Sequence, residues 1–146
     1  MANNKKVIKK KVKEEVIDTS LDVFLILKEK VSVVELQDLI NESFKEIETE
    51  IWPDLNIMEL QLKSDNTMDW IEVSESDVFD DEDKKIINSY DAKAVFCITV
   101  DADDTEVLVS VVKAILEKYD GVLGNDTDDF KPMFDKSNIE NFNYNE

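Results

Sequence analysis

Two segments, SLDVFLILK at Ser20–Lys28 and AKAVFCITV at Ala92–Val100, are apolar on both faces of any strand they form. Successive side chains of a strand point to opposite sides of the sheet, so strands of this kind must sit centrally with cover above and below. That requirement constrains the fold more than any other feature of the chain.

Each segment leads into a helical stripe. Ser32-Val33-Val34-Glu35 fits a capping box, in which the hydroxyl and the carboxylate satisfy N–H groups at a helix start. Val33, Leu36, Ile40, Phe44 and Ile47 follow at three- and four-residue spacing, which predicts a helix running to about Ile51, since Trp52 precedes Pro53. After the second segment, Val107, Leu108, Val111, Val112, Ile115 and Tyr119 make another stripe, closed by Asp120-Gly121.

The intervening chain is half-polar. Met58, Leu60 and Leu62 alternate with Glu59, Gln61 and Lys63, predicting an edge strand with one wet face. Ser64 to Thr67 supplies a turn, and Met68 to Val73 returns as a hairpin strand. Asp80 to Asp83 ahead of Lys84 and Lys85 suits a short helix, and Val122-Leu123 a short last strand.

These elements predict an α+β domain with a ferredoxin-like antiparallel sheet, β-α-β-β-α-β, and two helices on one face. The other face of the central strands then needs a cover. The hairpin partner, the N-terminal arm, the aromatic C-terminal segment or a second subunit are the candidates. Composition divides the chain into a basic arm at 1–15, a single domain at 16–130 and a polar, aromatic tail at 131–146.

At 146 residues with 42% apolar side chains, the chain can bury a core without metals or disulfides. Its charge is unusual: 35 acidic against 17 basic residues, net -18. Six lysines against Glu14 and Glu15 give residues 1–15 a charge of +4, which leaves -22 on residues 16–146. Such a field repels nucleic acid and anionic membranes and attracts basic partners.

Histidine and arginine are absent. The commonest acid–base side chain near neutral pH and the bidentate fork for phosphate are therefore missing. Cys97 is the only cysteine, so no intrachain disulfide forms. The longest early apolar run, Val23 to Leu27, is too short for a membrane span, and the N-terminus has no secretory signal pattern. A reducing cytoplasm is the expected compartment.

Behind the second apolar segment, Asp101-Ala102-Asp103-Asp104-Thr105 resembles the aspartate-x-aspartate-x-threonine signature of haloacid-dehalogenase-like hydrolases. The resemblance implies a nucleophile at Asp101, an acid–base at Asp103 and magnesium between them. It covers five residues and the strand before them. In that family a long parallel sheet follows the motif, whereas 41 residues follow here. A helix cap explains the same residues: Asp103 or Asp104 accepts first-turn N–H groups, with Glu106 three residues after Asp103.

Asn125-Asp126-Thr127-Asp128-Asp129 alternates oxygens as a calcium loop does, but neither register places the glycine and glutamate that an EF-hand requires. No catalytic residue, metal or cofactor is expected. The reading favoured by the residues is an acidic module that binds a basic protein, as an inhibitor or immunity-type protein does to a nuclease toxin. Its expected contact residues are Trp52, Trp70, Glu75, Asp77, Phe79, Asp80, Asp81, Asp126, Asp128 and Asp129, aromatics beside carboxylates. Direct nucleic-acid and membrane binding are not expected. A homodimeric regulatory or structural domain that binds a small ligand is the alternative, and a magnesium-dependent hydrolase using Asp101 and Asp103 ranks last.

Overall fold

Eight residues at Ser20–Leu27 form β1, and the second two-sided apolar run forms β5 (Ala94–Asp101). They pair antiparallel along their whole length, with Phe24 opposite Cys97 and Leu25 opposite Phe96. The computed structural model describes residues 20–64, 67–76 and 79–142; the side chains of 62–70 lie outside that description. The basic arm at 1–15 and Asp77 are likewise outside the described residues.

Four more strands complete one antiparallel sheet: β2 (Ile47–Trp52), β3 (Ile57–Ser64), β4 (Thr67–Glu75) and β6 (Gly121–Asn125). Their spatial order is β2-β3-β4-β5-β1-β6. Three α-helices accompany them, α1 (Val33–Ser43), α2 (Asp81–Ser89) and α3 (Thr105–Lys118).

The class is α+β, as the patterning predicts, but the strand order differs from the four-strand ferredoxin-like expectation. After α1 the chain crosses to the far edge and returns through a three-strand meander, β2 to β4, before reaching β5. Two sequence expectations change as a result. The helix stops at Ser43 rather than near Ile51, and residues 47–52 are a strand. Ile47 satisfies both a helical stripe and a two-residue alternation with Thr49 and Ile51, so its spacing alone does not separate the two. The strand of residues 57–64, expected at an edge, lies between two others, and β2 takes the edge.

Helices α1 and α3 share one face, where Val23, Leu25, Leu27, Phe96, Ile98 and Val100 meet Leu36, Ile40, Leu108, Val112 and Ile115 in the main core. The third helix is the short one that the acids ahead of Lys84 and Lys85 suit, and it is an addition to the ferredoxin-like pair. Helix α2 covers the opposite face of β1 and β5, so Ile87 joins Phe24, Ile26, Val95, Phe79 and Phe130 in a second apolar cluster. The segment after β6 completes this cover with Phe130 and Met133, then bridges Leu123 through Phe134 and buries Ile139 against the main core.

Local chemistry fixes the ends of these elements. The Glu35 carboxylate accepts the Ser32 N–H at 3.0 Å, as expected of a capping box. Asn56, in the left-handed region at φ 54, accepts the Val33 N–H at 2.9 Å and so ties the β2–β3 turn to the start of α1. Gly121 has no room for a side chain: a Cβ there would stand 2.3 Å from the Ile26 carbonyl oxygen. That absence lets β6 approach β1 closely.

Candidate functional site: the open face of the sheet

The face under α2 is covered only in part. Val95, Ile26 and Val122 form one cross-strand row beneath that cover, and Cys97, Phe24 and Gly124 form the next. Among the described residues the apolar cover ends at this second row. The Phe24 ring meets Phe79 edge-on at 5.9 Å and Phe130 at 5.4 Å, and Phe130 sits where a Cβ on Gly124 would stand 3.0 Å away.

One row further on, the sheet turns acidic. Glu50 lies opposite Glu59, Glu59 opposite Glu72, Glu72 opposite Thr99, and Thr99 opposite Asp22. All five share the outward parity, since their neighbours Ile51, Met58, Leu60, Ile71, Val73, Ile98, Val100 and Val23 point to the main core. A single row thus carries four carboxylates across five strands, at spacings of about 5 Å per strand. Like charges placed opposite one another on a sheet are destabilising. At the Asp22 end Thr99 Oγ1 donates to Asp22 Oδ1 at 2.7 Å.

The edge of this face carries exposed apolar side chains. Trp52, 38% exposed, stands opposite Ile57 beside the carboxylate row, and Leu55, 65% exposed, follows in the turn between β2 and β3. Glu75 is exposed next to this corner, its N–H donating to the Asn56 carbonyl.

Cys97 reports the electrostatics. Burial pushes its thiol up to about 12, and the charges of Asp22, Asp126 and Glu72 add to the shift. The thiolate is the reactive form, so Cys97 is an inert thiol despite lying at the boundary of an open face. Iodoacetamide at pH 8 is expected to alkylate the native protein about 10³-fold more slowly than the urea-unfolded chain. Mass spectrometry of timed samples reads this directly, and equal rates in the two states would remove the assigned environment. The linked stability has a definite sign. The unfolded thiol ionises above about 8.5 while the folded one does not, so stability falls as pH rises between there and about 12.

The sequence-predicted contact residues separate into three groups. Trp52 and Glu75 border the open face. Trp70 occupies a β4 position opposite Gln61, and its side chain lies outside the described residues, as does Asp77 entirely. Phe79 is half-buried against the second cluster. Asp80 caps α2 by accepting the Asp83 N–H at 2.8 Å, with Asp81 exposed beside it. Asp126, Asp128 and Asp129 are exposed in the turn after β6. The charges of Asp80 and Asp128 both act on Asp83, whose carboxyl is raised by desolvation and then by Asp80. Asp126 acts on Cys97 together with Asp22 and Glu72. Ile87 of α2 and Phe130 of the turn after β6 pack together with Phe24 and Val95, which places both elements on the same face of the sheet as the acidic row.

Asp22, Glu50, Glu59 and Glu72 are not among the contact residues expected from the sequence. Their two-residue alternation with apolar neighbours is visible there; their alignment across strands is not.

The remaining motifs lie at the start of α3 and in the turn after β6. Asp101 Oδ1 accepts the Asp103 N–H at 2.9 Å and begins a 3₁₀ turn, Ala102–Asp104, that leads into α3. Asp101 therefore caps the 3₁₀ turn, and Asp104 holds the N-cap position of α3. Both neighbours of β5 are antiparallel, unlike the parallel sheet that the hydrolase resemblance implies. In the turn after β6, the Asn125 N–H donates to the Phe130 carbonyl, Asn125 Nδ2 to the Pro132 carbonyl, and the Lys131 N–H to Asp129 Oδ1. Among the described residues no three acidic or cysteine side chains stand where they could share a metal ion, and no helix is long and apolar enough to cross a membrane.

Comparison with protein-family models, with curated proteins and with solved structures returned no match.

Proposed function

We propose that this protein is a binding module whose open acidic sheet face receives a cationic surface of another protein. The observation that carries the reading is the row Glu50, Glu59, Glu72 and Asp22, held in register by β2, β3, β4 and β1. Four like charges on a rigid sheet cost stability when the protein is alone and lower the energy of a bound cation. Trp52 and Leu55 at the rim supply apolar anchors beside that charge. A protein that inhibits a nuclease by covering its basic active site fits this chemistry, and so does any partner with a comparable lysine- or arginine-rich patch.

Self-association through the same face is less favourable, because two such faces would set carboxylates against carboxylates. An enzymatic role has less support. Asp101 is engaged in capping, and the acidic row has neither a histidine nor a reactive thiol beside it.

Titrating the isotopically labelled protein with decalysine, followed by amide chemical shifts, tests the reading. Shifts should concentrate at Glu50, Glu59, Glu72 and Thr99 and should weaken strongly between about 0.01 M and about 0.5 M ionic strength. Shifts spread evenly over the surface, or centred on α1 and α3, would show the acidity to be general solubility charge.

A further inference from the structure

We infer that the outer edge of β2 accepts an extended segment of another protein as an added antiparallel strand. A lysine or arginine of that segment lies beside Glu50 and an apolar side chain beside Trp52. The inference concerns the rim of the sheet and stands whether or not the acidic face binds cations.

The direction of the backbone groups carries it. The Glu75 N–H donates to the Asn56 carbonyl at 3.1 Å, so residue 56 turns its carbonyl towards β4. Backbone direction alternates along an antiparallel strand, so Ile57, Glu59 and Gln61 turn their groups towards β2, where they meet Trp52, Glu50 and Glu48. Ile47, Thr49 and Ile51 therefore aim their N–H and C=O groups away from the sheet. Among the described residues none of these edge groups finds a hydrogen-bond partner.

The opposite edge of the sheet is closed by the chain itself. Leu123 of β6 exchanges two backbone hydrogen bonds with Phe134, at 2.8 and 2.9 Å, and the Asn125 N–H donates to the Phe130 carbonyl. An edge with unpaired groups is a template for another strand unless a proline, a bulge or a lysine interrupts it. Strand β2 pairs with β3 without a break from Ile47 to Trp52 and contains neither proline nor lysine.

The side chains select the occupant. Glu48, Glu50 and Trp52 are exposed on the open face of the sheet. In two copies of β2, the register that pairs Ile47, Thr49 and Ile51 with one another sets Glu50 of each copy opposite Glu48 of the other. Like charges directly opposite destabilise a strand pair, so a second copy is disfavoured. Opposite charges and aromatic–aliphatic pairs stabilise one, which favours a basic residue beside Glu50 and an apolar one beside Trp52. Main-chain hydrogen bonds then supply affinity and the alternate side chains supply specificity.

Amide hydrogen exchange of the full chain, with a blocked heptapeptide alternating valine and lysine as the probe, tests the edge. In the free chain Ile47, Thr49 and Ile51 should exchange as fast as loop residues, and Glu48 and Glu50 far more slowly. At about ten times the dissociation constant of the peptide, the first three should slow about tenfold. The same peptide N-methylated at its valines keeps its charge but loses the N–H groups that would face β2. It should leave all three amides unchanged, as should a peptide alternating valine and glutamate.

Slow exchange at Ile47, Thr49 and Ile51 in the free chain overturns the inference, and slowing that grows with protein concentration assigns the edge to a second copy. No protection by the valine–lysine peptide, or equal protection by its methylated form, also overturns it. Equal protection by the glutamate peptide removes the basic occupant. Shifts at Glu59, Glu72 and Thr99 without protection of β2 defeat the added strand and leave the acidic face standing. Protection of β2 without decalysine binding at that face does the reverse.

Discussion

Replacing Glu50 and Glu72 by glutamine is expected to weaken binding of a cationic protein by about 100-fold while raising the midpoint of unfolding. Both side chains are exposed, and each lies directly opposite Glu59, one on either side. Glutamine keeps the shape and removes the charge. A charge contact of about 1.4 kcal/mol corresponds to tenfold in affinity, and two lost contacts give about 100-fold. Cross-strand pairs on a sheet are worth about 0.2–1 kcal/mol each, so relieving two repulsions should stabilise the fold by a comparable amount.

The opposed directions of the two effects are what make this test sharp. A variant that merely unfolded would lose affinity and stability together. Calorimetric titration with a basic protein, beside urea unfolding, reads both quantities. Unchanged affinity would place the binding surface elsewhere, and a lowered midpoint would show that the carboxylates stabilise the sheet.

Phe130→Ala should have the largest effect on the fold, a loss of about 3–5 kcal/mol. Phe130 is 2% exposed and holds the second cluster together, touching Phe24 at 5.4 Å and Phe79 at 6.1 Å, both edge-on. Its backbone sits in the left-handed region at φ 63, a conformation that a bulky residue adopts only at some cost. Burial of the ring offsets that cost, and alanine keeps the strain without the burial.

The expected damage is local at first. Losing Phe130 thins the cover over Phe24 and the neighbouring Cys97 row, so iodoacetamide should reach Cys97 in the folded variant. Faster alkylation with secondary structure retained is the predicted signature. A variant within about 0.5 kcal/mol of the parent would show that the turn after β6 is an ornament on the sheet rather than part of its second core.

Much of the architecture is legible in individual residues. Val23 to Leu27 and Val95 to Ile98 are apolar on both sides, and they do form the paired strands β1 and β5 with an apolar cluster on each face. The stripe from Val107 to Ile115 folds as α3, and Ser32 with Glu35 marks the start of α1. Ile47 is the point at which the sequence becomes ambiguous, because it lies both on a helical stripe and at the head of the alternation Ile47, Thr49, Ile51. Backbone propensity does not separate those choices. Pairing with β3 does, by burying Ile47 and Ile51 and aligning Glu48 and Glu50 on the opposite side.

The candidate site was less legible than the fold. Aromatics beside acids in the sequence point to Trp52 and Glu75, which border the face, and equally to Phe79, which is half-buried against the second cluster. Exposure depends on what lies above a residue, and among the described residues the apolar layer of Phe79, Ile87 and Phe130 does not include Thr99 or Asp22.

The amino-acid order alone settled which strands are buried on both sides, where two helices begin, and the sign and size of the charge. Those properties depend on neighbours within a few residues or on simple sums. Strand order and register belong to the tertiary structure, because they are chosen by side chains far apart in the chain competing for the same buried area. The alignment of Glu50, Glu59, Glu72 and Asp22 follows from that choice, and a slip of one residue in any strand would have turned its carboxylate into the core.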